Sequence, residues 1–209
     1  MEIVSRFLDA SRVQQEALRG ADMEVEIDAQ LPKLEKQGKW RALRSMSKLG
    51  HISYKPLAAF IGDNTVKNEV IARYMTADDG EHGSSSTAIT PANYKFQYKA
   101  SISENGHKVH VFQLKAKKSV VGLFNGELWL DEATGMPLKS AGQWVKVPSK
   151  VFLKKIQFTH VNVLRDGIAF PKHVEWKAET RFFGRAELSI EFVSFTRQES
   201  DDVAGAGGH

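Results

Sequence analysis

Apolar and polar positions change their period along this chain, and each change marks an element. At the start, Ile3, Val4, Phe7, Leu8, Val13, Ala17 and Leu18 recur at roughly helical spacing, with Arg6, Arg12, Gln15, Glu16 and Arg19 between them. That pattern predicts an amphipathic helix stopped at Gly20. The period then drops to two: Met23, Val25, Ile27, Ala29 and Leu31 alternate with Asp22, Glu24, Glu26, Asp28 and Gln30. A helix would scatter those carboxylates around its circumference, whereas a strand gathers them on one solvated face. Pro32 ends this strand. Further strands are predicted over residues 39–46 and 51–60, joined by the Lys48-Leu49-Gly50 turn. Gly62-Asp63-Asn64-Thr65 is turn and N-cap chemistry leading into a second helix over 66–75, with Val66, Val70, Ile71 and Tyr74 on one face. Residues 77–91, with Asp78-Asp79-Gly80, Gly83 and Ser84-Ser85-Ser86, form the one low-complexity stretch and predict a mobile loop.

From residue 94 onward the pattern is that of successive antiparallel hairpins. Tyr94, Phe96, Tyr98, Ala100 and Ile102 alternate with Lys95, Gln97, Lys99 and Ser101, and Glu104-Asn105-Gly106 is a hairpin signal because Asn-Gly readily adopts positive φ. Strands follow over 108–115, 122–130, 138–147, 152–164, 169–182 and 185–196, separated by Gly-containing turns. In the last two, Val174, Trp176, Ala178, Thr180 and Phe182, and then Ala186, Leu188, Ile190 and Phe192, alternate with charged or polar neighbours. The predicted fold is α+β, mainly β. About ten strands with one apolar and one charged face must cover the apolar face. A two-sheet sandwich would do so, but a helix before the strands and another among them favour a strongly curved antiparallel sheet, an incomplete, half-open β-barrel with helices covering its concave side. Residues 1–200 are expected to form one domain and 201–209 a flexible Gly-rich tail.

Areas then matter. Two helices of about 30 residues in all give some 45 Å of cylinder about 10 Å wide. Ten strands roughly 4.8 Å apart and 20 Å long present about twice that area. The excess concave lining is the kind of surface that binds acyl chains, although Ala100, Ala178 and Ala186 would equally let the faces close into a dry core. The inward set expected to line a cavity is Val25, Ile27, Tyr94, Phe96, Tyr98, Phe124, Leu128, Trp176, Phe182, Leu188 and Phe192.

Composition narrows the partners. A net charge of +4 over 209 residues is too small to announce nucleic acid. Its strongest local concentration is Lys33, Lys36, Lys39, Arg41, Arg44 and Lys48, a candidate contact for anionic lipid headgroups or an acidic partner protein, or else a solvated edge that blocks strand aggregation. Lys146, Lys150, Lys154 and Lys155 invite the same two readings. The absence of cysteine excludes disulfides, thiolate metal sites and a cysteine nucleophile in this chain. No apolar run approaches the roughly 20 residues of a spanning helix, and residues 1–6 do not have the form of a signal peptide.

One segment carries a family resemblance. Glu127-Leu128-Trp129-Leu130-Asp131-Glu132-Ala133-Thr134-Gly135-Met136-Pro137-Leu138, set in a helix–strands–helix–meander order, resembles the periplasmic lipoprotein-carrier superfamily, with its LolA/LolB-like fold. Within the turn, Asp131 and Thr134 are placed to bond backbone amides and Gly135 to supply positive φ. Phe152-Leu153-Lys154-Lys155-Ile156 and Arg165-Asp166-Gly167-Ile168-Ala169-Phe170-Pro171 look like the closing strands of uncharacterised bacterial relatives of these carriers. The resemblance implies helices as a lid over an apolar cavity, a periplasmic setting after export, and a lipid or acylated protein or peptide as ligand. Carriers of this family hold the lid with an Arg-Pro pair after an early strand. Here the comparable stretch is Trp40-Arg41-Ala42-Leu43-Arg44-Ser45-Met46, without it, and no lid arginine is assigned.

Chemistry-bearing patterns are sparse. His107 and His110, three apart in a strand, point to opposite faces and do not share a metal. His51, His82, His160 and His173 lack ligand-spaced partners, and Ser84-Ser85-Ser86 near His82 has no nucleophile elbow. No phosphate-binding, dinucleotide-binding or zinc-protease motif occurs. The expected protein is therefore non-enzymatic, without cofactor or metal. It is a carrier or sensor for a hydrophobic ligand, or alternatively a protein–protein regulatory module of the same fold.

Overall fold

The computed structural model describes residues 2–81, 86–104 and 106–197. The expectations placed on His82, Gly83, Ser84, Ser85, Asn105 and the 201–209 tail lie outside the described residues. The chain begins with helix α1 (Glu2–Leu18), and Gly20 takes φ 68° to turn into β1 (Ala21–Leu31). A 3-10 turn at Pro32–Leu34 leads to β2 (Lys36–Met46), followed by β3 (Ile52–Pro56) and the short β4 (Ile61–Gly62). A continuous helical segment comes next: α2 (Asn64–Val66), one π-helical turn (Lys67–Ile71) and α3 (Ala72–Glu81). The meander is β5 (Tyr94–Glu104), β6 (His107–Ala116), β7 (Phe124–Asp131), β8 (Pro137–Trp144), β9 (Leu153–Arg165), β10 (Ile168–Thr180) and β11 (Arg185–Arg197).

Among the described residues, all eleven strands belong to one sheet, ordered β3-β2-β1-β11-β10-β9-β8-β7-β6-β5, with β4 added to β2. The chain's two ends of β structure thus meet in the middle, where β1 pairs antiparallel with β11. β3 and β5 are the two edges, so the barrel stays open. Curvature has local causes. Extra residues bulge the ladder beside Glu24 (β1–β11), between Pro171 and His173 (β9–β10) and between Tyr98 and Ala100 (β5–β6). Each bulge bends its strand and increases the twist. In β7–β8, Gly126 faces Gly142, and a Cβ on Gly126 would lie 2.0 Å from the Ala141 carbonyl oxygen. Only glycine allows the strands to bend that closely.

β1 shows why the pattern works. Ala21, Met23, Val25, Ile27, Ala29 and Leu31 are buried, while the carboxylates of the alternate positions stand outside. The inward residues of the strands pack with Phe7 of α1 and with Val66, Val70, Ile71 and Tyr74 of the second helical segment in a single hydrophobic cluster. The π-helical turn brings both Val70 and Ile71 to the core face. Asp63 caps this segment by accepting from the Thr65 amide at 2.7 Å. The resemblance-bearing turn between β7 and β8 does more than reverse the chain. Asp131 accepts from both the amide and the hydroxyl of Thr134 at 2.8 Å, and Gly135 has φ 74°. α1 rests on it: Arg6 donates to the Glu132 carbonyl at 2.6 Å, and Gln14 reaches the Ala169 carbonyl at 2.8 Å.

One predicted boundary is corrected. The low-complexity stretch does not begin as a loop, because residues 77–81 continue α3. Tertiary bonds override the weak helix propensity of Asp78-Asp79. Asp78 is buried against Arg44 and Tyr54, and Asp79 accepts from the Ile52 amide at 2.7 Å.

Candidate functional site

α3 does not lie flush on the sheet. Between it and strands β8–β11 is a cavity of about 490 Å³. Its roof is Arg73, Thr76 and Ala77, one helical face at i, i+3 and i+4 spacing. Its floor is supplied by alternate residues of the strands: Trp144 of β8, Ile156 of β9, Trp176 and Ala178 of β10 and Ala186 of β11. Ala178 and Ala186 are direct cross-strand partners, and their small side chains leave the space open. At the mouth, Phe152 and Phe182 meet edge to face with centroids 5.9 Å apart and are 41 % and 63 % exposed. Arg73 lies 5.0 Å from the Phe152 ring centroid and pairs with Glu69 at 2.8 Å. A smaller hollow of about 190 Å³ shares Ala77, Thr87, Gly122, Trp144 and Trp176 with the cavity and extends it inward toward Phe124 and Phe158. Its inner end is polar, with Asp78, Ser140 and His160, the last two facing each other in the β8–β9 register.

The predicted lining set divides. Trp176 and Phe182 line the cavity, and Phe124 lines the inner hollow. Val25, Ile27, Leu128 and Leu188 are packed in the core. Tyr94 is also fully buried, its hydroxyl accepting from the Phe124 amide at 3.2 Å. Phe96 and Tyr98 lie at the far edge on β5, stacked against Phe112, and Tyr98 is mostly exposed. Phe192 lies under the Arg44 guanidinium, 5.9 Å from it. Trp144, Phe152, Ile156, Ala178 and Ala186 were not singled out by pattern as lining. Their phase was readable, but which inward residues face a void depends on where α3 sits.

The predicted basic patch is corrected in the same way. Lys36 pairs with Asp63 at 3.3 Å and Lys39 with Asp28 at 2.8 Å, while Arg41 engages Glu24 and Glu26. The acidic stripe of β1 thus pairs with Lys39 and Arg41 across the ladder, while Lys36 pairs with the helix cap Asp63. Lys33 and Lys48 make no such pair among the described residues. Arg44 leaves the patch altogether. It is 4 % exposed, in phase with inward-facing Ala42 and Met46, and bonds Asp78 of α3 through Nε–Oδ2 at 2.9 Å and a second nitrogen at 3.3 Å. Tyr54 of β3 donates to the same carboxylate at 2.6 Å. Burial works against the Arg44 charge, but Asp78 foremost, with Tyr54 and Tyr74, together outweigh it and raise the guanidinium pKa. Burial first, then Asp78, pushes the Tyr54 phenol upward. An arginine tether from an early strand to a helix over the sheet is thus present without an Arg-Pro pair.

The histidines pair with carboxylates: His107 with Asp131 at 3.0 Å and His110 with Glu132 at 2.9 Å. Among the described residues, no group of three His, Asp or Glu side chains is arranged to hold a metal ion, and no helix is long and apolar enough to cross a membrane.

No family model matches the chain, and no curated protein matches it. Solved structures similar to it include a LolA superfamily protein from Nitrosomonas europaea, at 10 % identity over 94 % of both chains with a TM-score of 0.42. Another is an outer membrane lipoprotein-sorting protein domain from Vibrio parahaemolyticus, at 11 % identity over 94 % of both chains with a TM-score of 0.40. The MucA/MucB complex from Pseudomonas aeruginosa is similar at 10 % identity, 93 % of this chain, 99 % of that one and a TM-score of 0.26.

Proposed function

We propose that this protein is a non-enzymatic binding protein that holds an acyl chain or a similar hydrophobic ligand beneath α3, as a carrier or sensor. The observation that carries this reading is the aromatic-floored cavity of about 490 Å³, which opens between two exposed phenylalanines. Burying a lipid tail contributes about 0.8 kcal/mol per methylene. A ten-carbon stretch therefore approaches about 8 kcal/mol before the costs of ordering, enough for useful affinity. The setting we propose is the periplasm, which the resemblance of residues 127–138 implies. Native mass spectrometry of the purified protein and displacement of a fluorescent fatty acid test the reading. A bound lipid or saturable displacement supports it, and the absence of both refutes it.

A second reading, a protein-interaction module, is favoured by the exposure of Val151, Phe152 and Phe182 in one rim. Filling the cavity separates the two. A partner module keeps its partner when Ala178→Phe occupies the void, whereas a lipid binder loses its ligand.

A further inference from the structure

Beside the mouth of the cavity lies a second depression, of about 570 Å³, whose charged lining is entirely cationic: Lys146, Lys150, Lys154 and Arg181. It shares Trp144 and Leu153 with the apolar cavity, so the two adjoin through common walls. Its position is fixed by the backbone. Arg181 donates through its amide to the Phe152 carbonyl at 2.9 Å and through Nε to the Lys150 carbonyl at 2.7 Å. These bonds tie Arg181 to the 150–152 segment, next in sequence to the mouth residues Phe152 and Phe182. Whereas Lys39 and Arg41 of β2 are matched by β1 carboxylates, none of these four makes an ion pair among the described residues. The opposite end of the binding space is different: at the inner hollow the Asp78 carboxylate is already paired with Arg44.

We infer that the ligand is an anionic amphiphile, its hydrocarbon tail under α3 and its carboxylate or phosphate headgroup held outside the mouth by Lys146, Lys150, Lys154 and Arg181. This rests on the acyl-binding reading above. Orientation follows from charge. An anion drawn to the four cations beside the mouth, with the Arg44 charge at the inner end already taken by Asp78, enters tail first. The cations are exposed, so their contribution is screened by salt, whereas burial of the tail is not. The Arg73–Glu69 pair on the roof carries no net charge and leaves this polarity in place.

The experiment compares lysophosphatidylglycerol with lysophosphatidylcholine of the same tail, each below its micelle-forming concentration, as competitors of a fluorescent acyl probe. The chain is tested as it stands and with Lys146→Gln, Lys150→Gln and Lys154→Gln combined. Several Lys and Arg side chains act together on one anionic headgroup, so the anionic competitor is expected to win by at least about tenfold at low salt. The triple variant and high salt are both expected to remove that preference, bringing the lysophosphatidylglycerol affinity down to that of lysophosphatidylcholine. Equal displacement by the two lipids overturns the headgroup assignment and leaves the acyl-binding reading standing. Displacement by neither overturns both. Recruitment to vesicles containing phosphatidylglycerol, without displacement by the monomeric lipid, assigns the cations to a membrane surface and likewise overturns the inference.

Discussion

Replacing Asp78 by Asn tests whether the second helical segment is held on the sheet by one buried ion pair. Asp78 and Arg44 side chains are 7 % and 5 % exposed, and the carboxylate takes two bonds from Arg44 and one from Tyr54. The amide keeps the volume but removes the charge, which leaves the Arg44 guanidinium buried and uncompensated. Breaking a buried pair from one side costs about 3–5 kcal/mol. Tyr54→Phe removes only one bond to a charged group, about 1.5–3 kcal/mol, so it must fall below Asp78→Asn. Replacing both partners by apolar residues of similar size, Arg44→Met with Asp78→Leu, removes both desolvation penalties and recovers most of the loss. Urea unfolding followed by Trp fluorescence and far-UV circular dichroism gives the three values, with an unchanged m-value checking that the native states are comparable. The acyl probe gives the functional consequence, because α3 is the cavity roof and its loosening weakens binding. A cost below about 1 kcal/mol for Asp78→Asn, or a double variant less stable than either single change, refutes the tether.

Other consequences are equally direct. Ala178→Phe fills the floor of the cavity, and is expected to lower acyl-probe affinity at least about tenfold while shifting stability by no more than about 1–3 kcal/mol. Unchanged affinity with a normal melting curve would place the ligand elsewhere. Burial opposes ionisation of Asp131, but the Thr134 hydroxyl and amide and then His107 outweigh it and hold its folded pKa below the ordinary value. A depressed carboxylate pKa contributes stability that is complete above its unfolded value of about 4 and is lost as pH falls through the folded one. Asp131→Asn should therefore flatten the stability profile below about pH 4, as read by chemical denaturation at each pH, and a profile parallel to wild type would count against it. Gly126→Ala places a methyl against the Ala141 carbonyl and should cost about 2 kcal/mol or more in denaturation midpoint experiments. A neutral result would show that the β7–β8 bend is not set by this close approach.

The alternation in the sequence is a local property, and it determined local things. The period of two in 22–31, 94–102 and 174–192 placed the strands and their wet faces, and the spacing of Val66, Val70, Ile71 and Tyr74 placed the helical face that the core receives. The 127–138 turn was legible because Asp131, Thr134 and Gly135 satisfy one another within a few residues. The phase of β2 also contained the information that Arg44 faces inward with Ala42 and Met46, but read as charge it joined a surface patch. Its partner lies 34 residues away on α3, and no local pattern connects the two. The same holds for the end of the second helix, which Asp78 and Asp79 stabilise through contacts with β2 and β3.

What the tertiary structure alone decided is where space remains. An inward side chain is core or cavity wall according to the distance between α3 and the sheet. That distance is set by the Arg44–Asp78–Tyr54 bonds, the bulges and the facing glycines together. Val25 and Trp176 obey the same alternation, yet one is packed from every side and the other borders a void. Periodicity assigns a side chain to a face. Only closure of the whole sheet against its helices determines what, if anything, fills the space beyond it.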